Sequence, residues 1–294
     1  MTPDADVSSI DAPPVGQAGA RRSREAARSV QSRGAVPWPL GIPALVAALF
    51  LLVPLAGLLV RAPWRGLPGI LADSQVMEAL RLSLVCATSA TVLCLLLGVP
   101  LAWVLARSEV PGKKVVRALV TVPLVLPPVV SGVALLLLLG RRGLLGQYLD
   151  TGLGITIPFT TGAVVIAEAF VAMPFLVISV EGALRGADRR YEDAAATLGA
   201  SRWLVLRRVT LPMIAPGVAA GAVLCFARAL GEFGATITFA GSFPGTTQTM
   251  PIAVYATLES GDTDGAIVLS LVLLVVSVVV LVSLRDRWLS GATT

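Results

Sequence analysis

The chain has 294 residues, of which 55% are hydrophobic and only 14% are charged. Soluble domains carry roughly 25% charged residues, so this composition is typical of a protein of the lipid bilayer and excludes an ordinary soluble domain. The chain has no histidine, and its three cysteines lie in apolar runs, which disfavours hydrolytic or metal-dependent catalysis. Its net charge of +5 is distributed between apolar segments, so neither a nucleic-acid partner nor a metal site is expected.

The N-terminal segment differs from the rest of the chain. Residues 1–38 are rich in Ala, Ser, Pro and Arg and cannot bury a core, so we expect a disordered basic cytoplasmic tail over 1–38. The apolar stretch that follows is too long for the core of a signal peptide, and we expect it to remain as a membrane anchor.

Apolar segments of membrane-spanning length recur along the rest of the chain. Six are predicted as transmembrane helices, at 40–60, 82–106, 115–139, 162–180, 213–230 and 266–284. They indicate one membrane domain over 39–288, followed by a short tail over 289–294. Most of the 23 Lys and Arg residues lie in the N-terminal tail and after the second, fourth and sixth spans. Because cytoplasmic segments carry an excess of Lys and Arg, both termini are predicted to be cytoplasmic.

The third span contains Pro123, Pro127 and Pro128, each of which removes a backbone donor. We therefore expect a broken helix. Broken helices are tolerated at membrane depth where they are buried in protein or line a watery path, so Pro127 and Pro128 are candidate residues of a translocation pathway. A helix that simply begins after Pro128 fits the same residues.

Charged residues inside the spans are further pathway candidates. Arg228 and Glu232 are four residues apart, so they share a helical face and could pair. Glu168, in the middle of the fourth span, is a second possible partner of Arg228. A charge at the membrane centre costs about 2.5–3.5 kcal/mol, so these side chains should face protein or water. The pair could stabilise helix packing or shape the route of an anion.

The segment between the fourth and fifth spans carries the most specific pattern. Residues 191–199 read Tyr-Glu-Asp-Ala-Ala-Ala-Thr-Leu-Gly, and 209–212 read Val-Thr-Leu-Pro. An Ala-rich stretch with acids at its start favours a short helix, and Gly199 permits a turn. We predict a helix, a turn and a second helix over about 188–208. An amphipathic helix lying on the membrane is the simpler alternative.

This segment resembles the signature of the permease subunits of binding-protein-dependent ABC importers, which is an acid, two alanines, three residues, a glycine, nine residues, an aliphatic residue, one residue and Leu-Pro. In this family the two short helices dock on a separate ATP-hydrolysing subunit. Asp193 occupies the position of the acid and Glu192 precedes it, so both carboxylates are candidates for that contact. The resemblance implies an ATPase-coupling role for Glu192, Asp193, Ala194, Ala195, Gly199, Leu211 and Pro212.

The same resemblance implies an all-α integral membrane protein with the type I importer fold and six transmembrane helices. Two permease copies would enclose one pathway, with two ATPase subunits inside the cell and a binding protein outside. The chain has no phosphate-binding Gly-x-x-x-x-Gly-Lys-Ser/Thr loop, so we expect a transport subunit rather than an enzyme. ATP and Mg would bind to the ATPase subunit, and this chain would hold no cofactor.

Three further stretches, 124–130, 140–143 and 226–239, resemble molybdate permeases within this family. The implied substrate is molybdate, delivered by an extracytoplasmic molybdate-binding protein, and tungstate or sulfate are alternatives. Sulfate permeases usually carry Tyr and Ser where this chain has Phe233 and Ala235. An ion-coupled secondary transporter would also use a broken span and intramembrane acids, but it does not explain the segment around Gly199.

Overall fold

The computed structural model describes residues 38–289, with side chains described over 40–282. These residues form helices, turns and loops, without a strand. The tails predicted over 1–38 and 289–294 lie outside the described residues, except that residues 38 and 289 themselves belong to the first and last helix.

The helices follow one another with short connections. In chain order, those of the described residues are α1 (Trp38–Arg61), α2 (Leu67–Leu71), α3 (Ser74–Arg107), α4 (Lys113–Val125), α5 (Pro128–Leu139), α6 (Gly146–Leu153), α7 (Thr161–Gly186), α8 (Arg190–Thr197), α9 (Arg202–Val205), α10 (Leu211–Leu230), α11 (Gly234–Ala240), α12 (Met250–Glu259) and α13 (Thr263–Leu289). A π turn (Leu206–Thr210) joins α9 to α10.

Within the described range, five helices are long and apolar enough to cross a membrane, and the bent pair α4 and α5 can form a sixth span. The six predicted spans are therefore present. The second span begins earlier than predicted, because Asp73 caps α3 by accepting a hydrogen bond from the Gln75 backbone N–H at 2.9 Å. The fifth span belongs to a continuous helix over Arg202–Leu230.

The chain divides into two compact units, one up to Gly57 and one from Leu58 onward. The main core of the second unit lies where α3, α7 and α10 pack together. Small residues bring these helices close: a Cβ at Gly98 would lie 3.2 Å from the Leu176 side chain, and one at Gly221 would lie 2.9 Å from Ser179 Cβ. Close approach through small residues is a typical way of packing helices in membranes.

The third span is broken, as the sequence predicts. α4 and α5 meet at an angle of 118°, and Leu126 and Pro127 between them are extended. A helix does begin at Pro128, as the alternative expects, and α4 precedes the break, so the segment is helical on both sides of it. α5 packs tightly on α11, where a Cβ at Gly132 would lie 2.7 Å from the Ala235 carbonyl oxygen.

Candidate functional site

The predicted helix and turn over residues 188–199 are present. Glu192 and Asp193 lie in the first turn of α8, where the helix dipole favours negative charge. α8 ends in a Schellman motif: Gly199 has a φ of +85°, and the Ala200 N–H donates to the Ala195 carbonyl at 3.1 Å. Glycine suits this left-handed conformation, because a Cβ is disfavoured there.

The second half of the motif departs from the prediction. Ser201 caps α9 by accepting a hydrogen bond from the Leu204 N–H at 3.3 Å, but α9 is not a separate short helix. It continues through the π turn into α10, with Leu211 and Pro212 in the continuous helix rather than at the turn. Pro212 has no N–H to donate to the preceding turn, and the chain there forms the wider π turn.

The two neighbouring carboxylates of α8 have different surroundings. Glu192 is only 18% exposed, and its Oε1 accepts hydrogen bonds from Arg107 Nη2 at 3.1 Å and from Thr210 Oγ1 at 3.0 Å. Asp193 is exposed, and its carboxylate has no hydrogen bond or ion pair with another residue of the described part of the chain. Both carboxylates line an open groove of about 610 Å³, together with Arg107, Arg189 and Arg202, but only Glu192 is paired there. Asp193 is therefore the carboxylate that remains free for a partner.

Three large apolar side chains of this segment are exposed among its charged residues. Leu198 is 89% exposed, and Tyr191 and Trp203 are also largely exposed, while Ala194 is exposed and Ala195 is partly covered. Exposed aromatic and aliphatic side chains on a short helix are typical of a face that fits a groove on another protein.

Arg107 and Thr210 were not predicted as functional residues. Arg107 ends α3, and in the sequence it was one of several basic residues expected at the cytoplasmic side. Thr210 occupies the unspecified position between Val209 and Leu211 in the signature. A basic residue that directly ends a span was the available signal for Arg107, while the sequence offers no signal for Thr210.

The predicted pair of Arg228 and Glu232 is present within the membrane domain. Arg228 Nη2 forms an ion pair with Glu232 Oε2, and the Arg228 side chain is 25% exposed. Glu232 is buried, and its Oε1 accepts a hydrogen bond from the Ala235 N–H at 2.8 Å. Glu232 therefore pairs with α10 and also satisfies an otherwise free N–H at the start of α11.

Glu168 does not pair with Arg228 among the described residues, so the predicted second partnership is wrong. Glu168 is buried in α7, its Oε2 has no hydrogen-bond partner within the described range, and its charged neighbour is Glu232. We call Glu168, Arg228 and Glu232 the membrane charge cluster.

The break in the third span adjoins this cluster. A Cβ at Gly234, two residues after Glu232, would lie 2.8 Å from Pro128 Cβ. Pro127 and Pro128 are themselves exposed. The structure thus brings the proline break and the Arg228–Glu232 pair together, while it keeps Glu168 buried in the interior of the chain.

Residues 98–292 match the family described as "Binding-protein-dependent transport system inner membrane component". The chain belongs to this family. The permease is 48% identical over 253 residues to the Molybdenum transport system permease protein ModB of Mycobacterium tuberculosis. The aligned residues cover 86% of this chain and 95% of the relative. It is 37% identical over 263 residues to the Sulfate transport system permease protein CysW of Synechococcus elongatus, covering 88% and 92% of the two chains.

The fold of the permease also matches solved structures. A chain of a bacterial ABC transporter involved in the import of the acidic polysaccharide alginate superposes with a TM-score of 0.69 at 19% identity, covering 93% of this chain and 100% of that chain. The predicted all-α integral membrane fold of ABC importer permeases is confirmed. The permease is a multi-pass protein of the cytoplasmic membrane, and its relatives are transport subunits rather than enzymes.

Proposed function

We propose that this permease forms the membrane pathway of an ATP-driven importer for molybdate. The observation that carries this proposal is the 48% identity to a molybdenum permease over 86% of the chain, against 37% to a sulfate permease over a similar length. Tungstate is expected to use the same pathway, because the two dianions have nearly the same size and charge.

The assembly that we propose contains two copies of the permease, two ATPase subunits and an extracytoplasmic molybdate-binding protein. Both termini are cytoplasmic, and ATP with Mg binds to the ATPase subunits. Two features of the segment from α8 to α9 support docking of an ATPase there. They are the exposed face with the apolar side chains of Tyr191, Leu198 and Trp203, and the free carboxylate of Asp193. Leu211 and Pro212 act indirectly, because they belong to the helix that supports this face.

Transport then follows from a change in the angle of the spans. Closure of the ATPase pair on ATP moves α8 and turns the permease from inward-open to outward-open, so that the docked binding protein releases its anion. Shifting such an equilibrium from 1:99 to 99:1 requires about 5.5 kcal/mol of differential binding. The contacts of α8 must transmit a free energy of this size.

Within the membrane, Arg228 and Glu232 fix the turn between α10 and α11 beside the break at Pro127 and Pro128. The partly exposed guanidinium of Arg228 offers a geometry that suits oxyanions, and Glu232 neutralises it so that the anion is not held too tightly. Glu168 contributes to this region as a second buried acid that senses the charge of Glu232.

Uptake by the reconstituted importer tests the proposal. Proteoliposomes containing the permease and its ATPase, supplied with the binding protein, should accumulate labelled molybdate only with ATP inside. Excess tungstate should compete and excess sulfate should not. Competition by sulfate as strong as by tungstate would contradict the substrate, and uptake that needs an ion gradient but no ATPase would indicate a secondary transporter. Calorimetric titration of the binding protein with the three anions gives an independent measure of selectivity.

A further inference from the structure

α8 has an unusual attachment to the rest of the chain. None of its eight residues is buried, so no apolar side chain anchors it in a core. Its ends are joined to α7 and α9 by short turns. A helix held in this way needs a lateral contact if its movement is to be passed on to the spans.

Glu192 provides that contact. Its Oε1 accepts hydrogen bonds from Arg107, the last residue of α3, and from Thr210, the last residue of the π turn that leads into α10. Arg107 is 85 residues away in sequence, and Thr210 is 18 away. One oxygen atom therefore connects α8 to two different spans. We call Arg107, Glu192 and Thr210 the cytoplasmic link.

The link differs from an ordinary surface ion pair. The Arg107 side chain is only 7% exposed, and within the described part of the chain Glu192 is its ion-pair partner. Arg107 Nη2 also lies 3.5 Å from the Ala187 carbonyl oxygen, and its Nε is buried without a hydrogen-bond partner in the same range. Removal of Glu192 would leave a buried guanidinium without a counter-ion, which is strongly unfavourable, whereas exposed pairs contribute little.

The two spans that the link reaches are central to the fold. α3 and α10 both contribute to the main core with α7: Leu105 lies two residues before Arg107, and Ile214 lies one turn after Thr210. A displacement of Glu192 therefore reaches helices that are packed against each other rather than an isolated loop.

We propose that Glu192 is a positioning residue that transmits the movement of α8 to α3 and α10, and that it does not contact the ATPase. The free neighbour Asp193 makes that contact instead. The inference rests on the proposed function, because it requires an ATPase that moves α8. It assigns different tasks to the two adjacent carboxylates: Asp193 binds the partner, and Glu192 carries the resulting displacement into the membrane.

The test compares four variants in the complete importer, reconstituted with its ATPase and binding protein. Glu192→Ala removes both hydrogen bonds, and Glu192→Gln keeps an acceptor for Thr210 but loses the charge that faces Arg107. Asp193→Asn removes the adjacent charge. Arg185→Gln is the matched control. Arg185 donates to the buried acid Glu181, which keeps Arg117 as its second partner, and neither Glu181 nor Arg185 forms a hydrogen bond or ion pair with α8 among the described side chains.

Three quantities are measured, namely the ATPase retained with the permease on purification, the ATP hydrolysed, and the molybdate taken up. For Glu192→Ala we expect normal retention of the ATPase but about a tenfold fall in molybdate transported per ATP, within the usual range of coupling between sites. Glu192→Gln should fall between this variant and the wild type. Asp193→Asn should lose ATPase retention, and Arg185→Gln should match the wild type in all three.

A double-mutant cycle tests the contact without any transport. Melting temperatures are measured for the purified permease and for its Arg107→Gln, Glu192→Gln and double variants. The shifts of the two single variants should not add up to that of the double variant. The double variant should be more stable than Glu192→Gln, because it leaves no buried charge unpaired. Additive shifts in melting temperature would overturn the cytoplasmic link. This result does not depend on which anion the importer carries.

Two results in the reconstituted importer would also overturn the inference. An unchanged ratio of molybdate to ATP in Glu192→Ala would show that α8 transmits its movement by other contacts. Loss of ATPase retention in Glu192→Ala equal to that in Asp193→Asn would show that Glu192 contacts the ATPase directly. Failure of the proposed function is separate, since it would be seen in the wild type as a lack of ATP-dependent molybdate uptake.

Discussion

Two of the Arg–Glu pairs among the described residues, each with one partner less than 10% exposed, use the same chemistry for different purposes. In the cytoplasmic link, Arg107 and Glu192 come from helices 85 residues apart in sequence. In the membrane charge cluster, Arg228 and Glu232 are four residues apart, and Glu232 also holds the first turn of α11. The long-range pair connects elements that can move relative to one another, whereas the local pair fixes the shape of one turn. Loss of the first should impair coupling, and loss of the second should impair folding.

The largest effect is expected for Glu232→Ala. This change removes the counter-ion of Arg228 and the acceptor for the Ala235 N–H in a buried site, and breaking such a pair costs about 3 kcal/mol or more. The melting temperature and the yield of assembled importer should both fall. Arg228→Gln is the companion variant, and normal assembly together with normal uptake in it would remove both proposed roles of the pair.

A smaller loss is expected for Gly132→Ala, which tests the contact of the broken span with α11. The new Cβ would lie 2.7 Å from the Ala235 carbonyl oxygen, so α5 must move away, at a cost of about 1–3 kcal/mol. The melting temperature and the molybdate uptake should decrease. Gly152→Ala is the control, because a Cβ there meets nothing within 4 Å. Equal behaviour of the two variants would contradict close packing at the break.

Gly199→Ala should act on the cytoplasmic side through the backbone alone. No atom lies within 4 Å of a Cβ at Gly199, but the φ of +85° makes any side chain unfavourable by about 1–2 kcal/mol. We expect weaker retention of the ATPase and little change in the melting temperature of the spans. Gly182→Ala is the control and should be tolerated, because Gly182 lies in the interior of α7 and a Cβ there also meets no atom within 4 Å. A similar loss of ATPase retention in Gly199→Ala and Gly182→Ala would argue against the turn at Gly199 as the cause.

The smallest effect is expected for Glu168→Gln. This acid is buried and has no ion-pair partner among the described residues, so its neutral isostere removes no ion pair and preserves the packing. The free energy of unfolding should stay within about 1 kcal/mol of the wild-type value or increase, and the melting temperature should change accordingly. Loss of uptake with normal stability would instead assign Glu168 a direct part in the pathway.

Much of this architecture follows from local sequence patterns. Apolar length predicted the six spans, the prolines at 123, 127 and 128 predicted the break, and the four-residue spacing predicted the pair of Arg228 and Glu232. Each of these features depends on residues close together in the chain, so the sequence contains the information directly.

The parts that were missed depend on distant residues or on short elements. α6, α11 and α12 are too short to produce a clear period of apolar residues. Glu192 and Asp193 could not be distinguished, because adjacent residues on a helix point about 100° apart and only the position of Arg107 decides which of them is buried. The partnership of Glu168 with Arg228 is absent from the described residues, because pairing between different helices depends on helix rotation, which the sequence does not specify.

The uninterrupted course of α10 has a geometric consequence for the two charged sites. From Thr210 to Arg228 the helix makes about five turns, or about 27 Å, and at 3.6 residues per turn the two residues return to the same angular position on its surface. If the helix turns as a rigid body, a rotation at its cytoplasmic base swings the Arg228 guanidinium sideways through the same angle. With the proposed function, such a rotation would relate the movement of the ATPase to the position of the Arg228 charge.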